Sequence, residues 1–279
     1  MRLPDLSSSM YVAWLRHIQS IHEPLECRNP DILVRHLLPL TQRLRTRWLG
    51  RKELTRLRAE PFYYYLVART RYYDQVVNDA VSDGTRRIVM VGCGGDTRAY
   101  RFQHLLRSKG VKVLECDQQE AIHTKQQLSK RWKPSDYVGY LPIDLNDHAW
   151  PELAHWLEQR PVGKTLVVME GVSPYVDENG IRQFFLFIAA KVTPGSQIAY
   201  DFKLRGANDA LGRVGRTQKP FRLPHAIDEV TAFHQGCGLQ LTNMEQSTDL
   251  CLRLLPDQTK YGGPGFSEDA LVLLERRRA

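Results

Sequence analysis

The chain has little of what marks a secreted, metal-built or membrane-spanning protein. Among 279 residues there are five cysteines. Cys27, Cys93, Cys116, Cys237 and Cys251 are scattered, odd in number and without a CxxC pair, which excludes a disulfide framework or a zinc cluster and predicts free thiols of a cytoplasmic protein. The nine histidines form no HxxxH pair, so no metal is expected. No apolar run approaches the roughly 20 residues of a membrane span. The opening MRLPDLSSSMYVAWLRHIQ has neither the apolar core nor the cleavage site of a secretory leader. Repeats and low-complexity tracts are also missing. With 42% hydrophobic residues, the composition predicts a soluble chain that builds one large core of its own.

What is present begins at Ile88–Arg98, IVMVGCGGDTR. Four successive apolar residues suit a strand covered on both faces, as in a parallel sheet. Gly92, Gly94 and Gly95 then end it in a turn that a ligand can approach without a Cβ in the way, and Asp96 and Thr97 suit the start of the next helix. A second strand, Val111–Cys116, ends in Asp117, about 20 residues beyond the turn, where a carboxylate can accept from a ribose hydroxyl pair. Asp144 and Leu145 follow the run Tyr140–Ile143 and could hold an adenine between a carboxylate and an aliphatic face. Thr165–Met169 runs into Glu170, and Ser196–Tyr200, introduced by Pro194-Gly195, into Asp201. Acids that each follow a strand belong at the carboxyl edge of an open parallel sheet, where ligands bind. Gly238–Asn243 and Leu271–Glu275 read as closing strands. The predicted fold is α/β: a Rossmann-like, doubly wound, mostly parallel seven-stranded sheet.

A nicotinamide dinucleotide fits this turn poorly. Its fingerprint needs glycine at the sixth position, which counting from Gly92 is Thr97, and Asp96 would sit beside the pyrophosphate. S-adenosylmethionine, with its sulfonium and ammonium, is compatible with an acid there, and methyl transfer is favoured.

Five blocks carry a family resemblance: RTRYYDQ (69–75), VGCGGDTRAYRF (91–102), LECD (114–117), IDLND (143–147) and VMEGVSPY (168–175). In order and spacing the sequence resembles the leucine carboxyl methyltransferase family of S-adenosylmethionine-dependent methyltransferases, best over residues 60–205. The resemblance implies that Gly92 and Gly94 lie along the methionine part of the cofactor and that Arg71 or Arg69 grips its carboxylate. It implies that Asp117 holds the ribose, that Asp144 and Leu145 frame the adenine, that Glu170 faces the ammonium and that Tyr175 closes the wall. Cys93 and Gly95 depart from the family's usual residues, but both are small. The implied activity is O-methylation of a polyketide or peptide natural product, leaving S-adenosylhomocysteine. A protein C-terminal carboxyl methyltransferase and a non-catalytic binding protein of the same fold are the alternatives.

The division expected is one methyltransferase domain over 1–279. Residues 1–80 form a helical cap, with helical segments at Met10–Ile18, Ile32–Leu44 and Phe62–Val81, and 81–279 the cofactor-binding core. The cap aromatics Tyr11, Trp14, Tyr63, Tyr64, Tyr65, Tyr72 and Tyr73 read mainly as core. Lys203–Pro224 reads as an insertion on the acceptor side. If the acceptor is an alcohol, Asp201, His225 and Glu170 are the base candidates. If it is a carboxylate, Arg205, Arg213, Arg216 or Arg222 could pair with it. The net charge of +8 gathers in Arg35, Arg43, Arg45, Arg47, Arg51, Lys52, Arg56 and Arg58 and in Arg276–Arg278. That suits a solvated face or attraction of an acidic substrate or carrier-bound acceptor; no nucleic-acid module is readable.

Overall fold

The computed structural model describes residues 8–133, 136–147, 149–159, 163–207, 220–255 and 265–277. Five parallel strands form the centre: β1 (Arg87–Val91), β2 (Lys112–Asp117), β3 (Val138–Pro142), β4 (Thr165–Met169) and β5 (Gln197–Leu204). After the two-residue β6 (Arg222–Leu223) come β7 (Leu239–Gln246) and β8 (Asp269–Arg276), which close the sheet antiparallel in the order β3-β2-β1-β4-β5-β8-β7. The seven expected strands are all present. The eighth, β6, pairs with Lys203 and Leu204 at the end of β5; two residues are too short to leave a periodicity in the sequence.

Alternation along β1 accounts for the double winding. Ile88 and Met90 belong to one buried cluster, Val89 and Val91 to the other, so each face of the sheet needs its own layer of helices. The first layer includes the cap helices α1 (Ser8–His22), α3 (Arg51–Arg58) and α4 (Pro61–Ser82), with α2 (Leu40–Arg47) packed on α1, followed by α5 (Arg98–Arg101), α6 (Gln103–Ser108) and α7 (Gln119–Ser129). The second rests on α8 (Pro151–Glu158), α9 (Glu178–Lys191) and α10 (Ile227–Gln235). A last helix, α11 (Ser247–Leu254), packs on α4.

The helix expected over Ile32–Leu44 is broken. A 3-10 turn covers Val34–Leu37, and α2 starts only after Pro39, because proline disfavours helical geometry in the residue before it. In α4, Pro61 occupies the first turn, where its missing N–H costs nothing, and Tyr63, Tyr64, Tyr65, Tyr72 and Tyr73 are all buried core, as expected. All five cysteines are buried free thiols. Among the described residues no helix is long and apolar enough to cross a membrane, and no group of three or more His, Cys, Asp or Glu side chains is placed to hold a metal.

Candidate active site

A cavity of about 630 Å³ opens at the carboxyl ends of β1, β2, β4 and β5, roofed by α1 and α4. Of the positions singled out in the sequence, Arg69, Gly92, Gly94, Asp117, Asp144, Leu145, Glu170, Tyr175 and Asp201 line it. His225 and Arg71 do not.

The glycine turn forms as the sequence requires. Gly92 has φ +63° and Gly94 φ +24°. A Cβ on Gly92 would run into the Cγ2 of Val172, another cavity residue, so the turn has room for backbone only. The Gly94 amide donates to Asp117 Oδ2 at 2.7 Å, tying the turn to the tip of β2. From below, the buried Lys125 of α7 donates to the Cys93 carbonyl at 2.9 Å and pairs with Glu115 Oε1 at 2.9 Å. Asp96 does not cap α5 in the usual way. It accepts from the Arg98 amide and pairs with the Arg98 guanidinium, each at 2.7 Å, while Thr97 turns its hydroxyl to Asp31.

Of the two arginines on α4, Arg69 faces the cavity. Its Nη1 donates to Asp201 Oδ2 at 3.1 Å and its Nε lies 3.2 Å from Glu170 Oε1; no hydrogen bond from Nη2 is formed among the described residues. Arg71, two positions on, points elsewhere because a two-residue step on a helix turns the side chain through about 200°. Its guanidinium donates to the carbonyls of Leu254 and Arg28 at 2.9 and 3.1 Å, outside the cavity. Of the two, only Arg69 lines the cavity.

Glu170 is the meeting point of a buried charge network. Arg98 Nη1 lies 2.7 Å from its Oε2, and Arg16 Nη2 4.0 Å from its Oε1. Arg98 and Arg101 reach Asp74 at 2.8 and 2.6 Å, and Arg16 reaches Asp31 at 3.2 Å. Burial alone would raise the Glu170 carboxyl, but Arg98, Arg16 and Arg69 together hold it far below the ordinary carboxylate range. A carboxylate so paired is a poor base near neutral pH, which disfavours Glu170 among the base candidates. Asp201 behaves oppositely. Burial raises it to about 6, against the lowering effect of Arg69 and of the Gly171 amide that donates to it at 2.7 Å.

The remaining acceptor-side candidates fall away from the cavity or outside the described residues. His225 is exposed ahead of α10, so it too is disfavoured as a base. Arg205 is exposed opposite Glu229 at 3.8 Å, and Arg222 donates to the Ala207 carbonyl at 2.6 Å. Arg213 and Arg216 lie outside the described residues. The presumed start of the insertion at Lys203 belongs to β5, and Lys203 is a buried cavity residue paired with Asp269 at 2.8 Å.

Sequence reading missed Arg16, Arg98, Lys125 and Lys203. A signal existed for some of them. Glu115 and Lys203 are charges inside otherwise buried strand patterns, which demand an internal partner.

The family model for leucine carboxyl methyltransferase matches residues 30–189, more than half of the chain. The chain belongs to the leucine carboxyl methyltransferase family. Relatives from Mycobacterium avium (strain 104) and Mycolicibacterium smegmatis, named by inference as S-adenosyl-L-methionine-dependent methyltransferases, are 29% and 28% identical over 139 and 208 residues. These alignments cover 49% and 72% of this chain and 43% and 67% of the relatives. The chain spans about half the length of several such relatives, 43% and 48% for two of them. Similar solved structures include the cyclase SpnF (TM-score 0.49, 11% identity, covering 78% of this chain and 84% of that one). The methyltransferase SibL in its apo form is another (TM-score 0.42, 17% identity, 80% and 62%).

The site of this leucine carboxyl methyltransferase family member suits S-adenosylmethionine on its own evidence. Glu170 Oε1 is buried and accepts no hydrogen bond, leaving a lone pair for an ammonium. Around it Arg16, Arg69, Arg98 and Arg101 face Asp31, Asp74, Asp96, Glu170 and Asp201. That is one acid in excess, which favours a ligand of net positive charge.

Proposed function

We propose that the protein is an S-adenosylmethionine-dependent O-methyltransferase acting on a hydroxyl group of a natural product or of its biosynthetic intermediate, free or carrier-bound. In this reading Arg69 holds the cofactor's carboxylate through its unbonded Nη2, and Glu170 its ammonium. Gly92 and Gly94 give the methionine chain a surface without side chains. Asp117 accepts from the ribose, and Asp144, Leu145 and Tyr175 bound the adenine end.

When bound, S-adenosylmethionine supplies a methyl group already activated by its sulfonium. What the chain must do is hold the acceptor oxygen in line at near-attack distance and remove its proton. The single observation that carries the hydroxyl assignment is Asp201. It lines the cavity from within β5, with its carboxyl near 6, where it is ionised at neutral pH yet basic enough to accept a proton. Among the described residues, neither Arg205 nor Arg222 lines the cavity. Phe62 of α4 supplies apolar wall to the cavity, in keeping with an acceptor of partly aromatic or aliphatic body.

The test is methyl transfer from labelled S-adenosylmethionine to a panel of phenols, aliphatic alcohols and their matching carboxylic acids. Alkali-stable label on a hydroxyl acceptor supports the reading. Label released by mild alkali, as from an ester, would assign the carboxylate instead.

A further inference from the structure

Helix α2 is built inside out. A surface helix ordinarily turns its apolar stripe to the protein. Here both leucines of α2 face outward, Leu40 64% and Leu44 49% exposed, and Trp48 at its C-cap is 80% exposed. With about 100° per residue, Leu40, Leu44, Arg47 and Trp48 share an arc of about 100°. The opposite side carries Thr46, which is buried, and Arg45, whose guanidinium lies over the Trp14 ring at 5.1 Å. Neither leucine is needed to seat the helix.

The surroundings are cationic. Arg45 pairs with Glu53 at 2.8 Å and Arg58 with Glu23 at 2.9 Å. Arg43, Arg47, Arg51, Lys52 and Arg56 make no ion pair among the described residues, and between Arg43 and Arg58 the one acid is the already paired Glu53. We propose that this face of α2 and α3 docks the protein on an anionic membrane surface. The leucines and Trp48 enter the headgroup layer while the flanking cations meet lipid phosphates. A second copy of the chain is a poor occupant, since a symmetric contact would bring five unpaired cations against five. Leucine and tryptophan tips between cations, with the single acid Glu53 already paired, suit a bilayer's apolar-to-anionic gradient better than an acidic protein, which would leave the apolar tips without a matching pocket. The inference rests on this surface alone and is independent of the methyl-transfer reading.

The test is co-sedimentation of the whole protein with phosphatidylcholine vesicles, with and without an equal share of phosphatidylglycerol, at moderate salt. Expected is a partition onto anionic vesicles at least tenfold above that onto neutral ones. It should fall about tenfold in Leu44→Ser/Trp48→Ser and in Arg47→Glu/Arg51→Glu. Both variants change exposed side chains, and circular dichroism and thermal melting check that they fold. Equal partition onto both vesicles, none onto either, or no loss in the folded variants would overturn the proposal. Vesicle binding absent while soluble polyglutamate binds would replace the membrane by an acidic protein partner.

Discussion

At Asp201 two opposing effects meet, burial raising the carboxyl and Arg69 lowering it, with burial ahead. If this group takes the acceptor's proton, the rate under subsaturating acceptor should rise with pH through about 6 and then level. Asp201→Asn should cost at least about a hundredfold in turnover while cofactor affinity changes little; a pH–rate profile without that limb would remove Asp201 from the chemistry. The same shift has a stability consequence. The folded protein holds this proton more tightly than the unfolded chain, whose carboxyl has a value near 3.8. Asp201 therefore favours folding at low pH, and that contribution is lost as pH rises from about 3.8 to about 6. Denaturant titrations of Asp201→Asn should show this slope removed. Arg69 and Arg71 make a second contrast. Arg69→Met should weaken S-adenosylhomocysteine binding by tenfold or more, whereas Arg71→Met, which loses only carbonyl contacts outside the cavity, should leave affinity unchanged.

At the scale of elements, the glycine turn and the cap are held by different means. The turn depends on backbone conformation, so Gly92→Ala must both hold a strained positive φ and displace Val172 to keep it. Loss of cofactor binding is expected along with about 1–3 kcal/mol of stability. The cap depends on Arg98, which joins α4 through Asp74 to β4 through Glu170 with 1% of its side chain exposed. Arg98→Met leaves Asp96 without its ion-pair partner and takes one cation each from Asp74 and Glu170, and should cost about 3–5 kcal/mol, measurable as a lowered urea midpoint. These elements were unequally legible in the sequence. Strands such as Thr165–Met169 stood out because burial on both faces makes a continuous apolar run. The break before α2 was hidden in a stretch rich in leucine, and β6 was too short to register. Asp117, Asp144 and Glu170 could be placed because their strands end at a common edge. Arg98 and Arg16 could not, because their partners lie as far away as Asp74 and Glu170 in sequence, and no local spacing records that meeting.

For the molecule as a whole, the charge has two separate uses. Inside, the network around Glu170 carries a slight excess of acid beneath a cavity open to a cationic ligand; outside, the excess of arginine lies on the cap around α2 and α3. Salt should therefore affect them differently, weakening any contact of the exposed cap while leaving the buried site nearly untouched. The most direct test of the account is calorimetric titration of the protein with S-adenosylhomocysteine, beside NADH and beside Asp117→Ala. The account predicts micromolar binding of S-adenosylhomocysteine alone. In the variant, loss of the charge-assisted hydrogen bonds, about 1.5–3 kcal/mol each, should weaken it tenfold or more. Undiminished affinity in Asp117→Ala, or binding of NADH in place of S-adenosylhomocysteine, would contradict it.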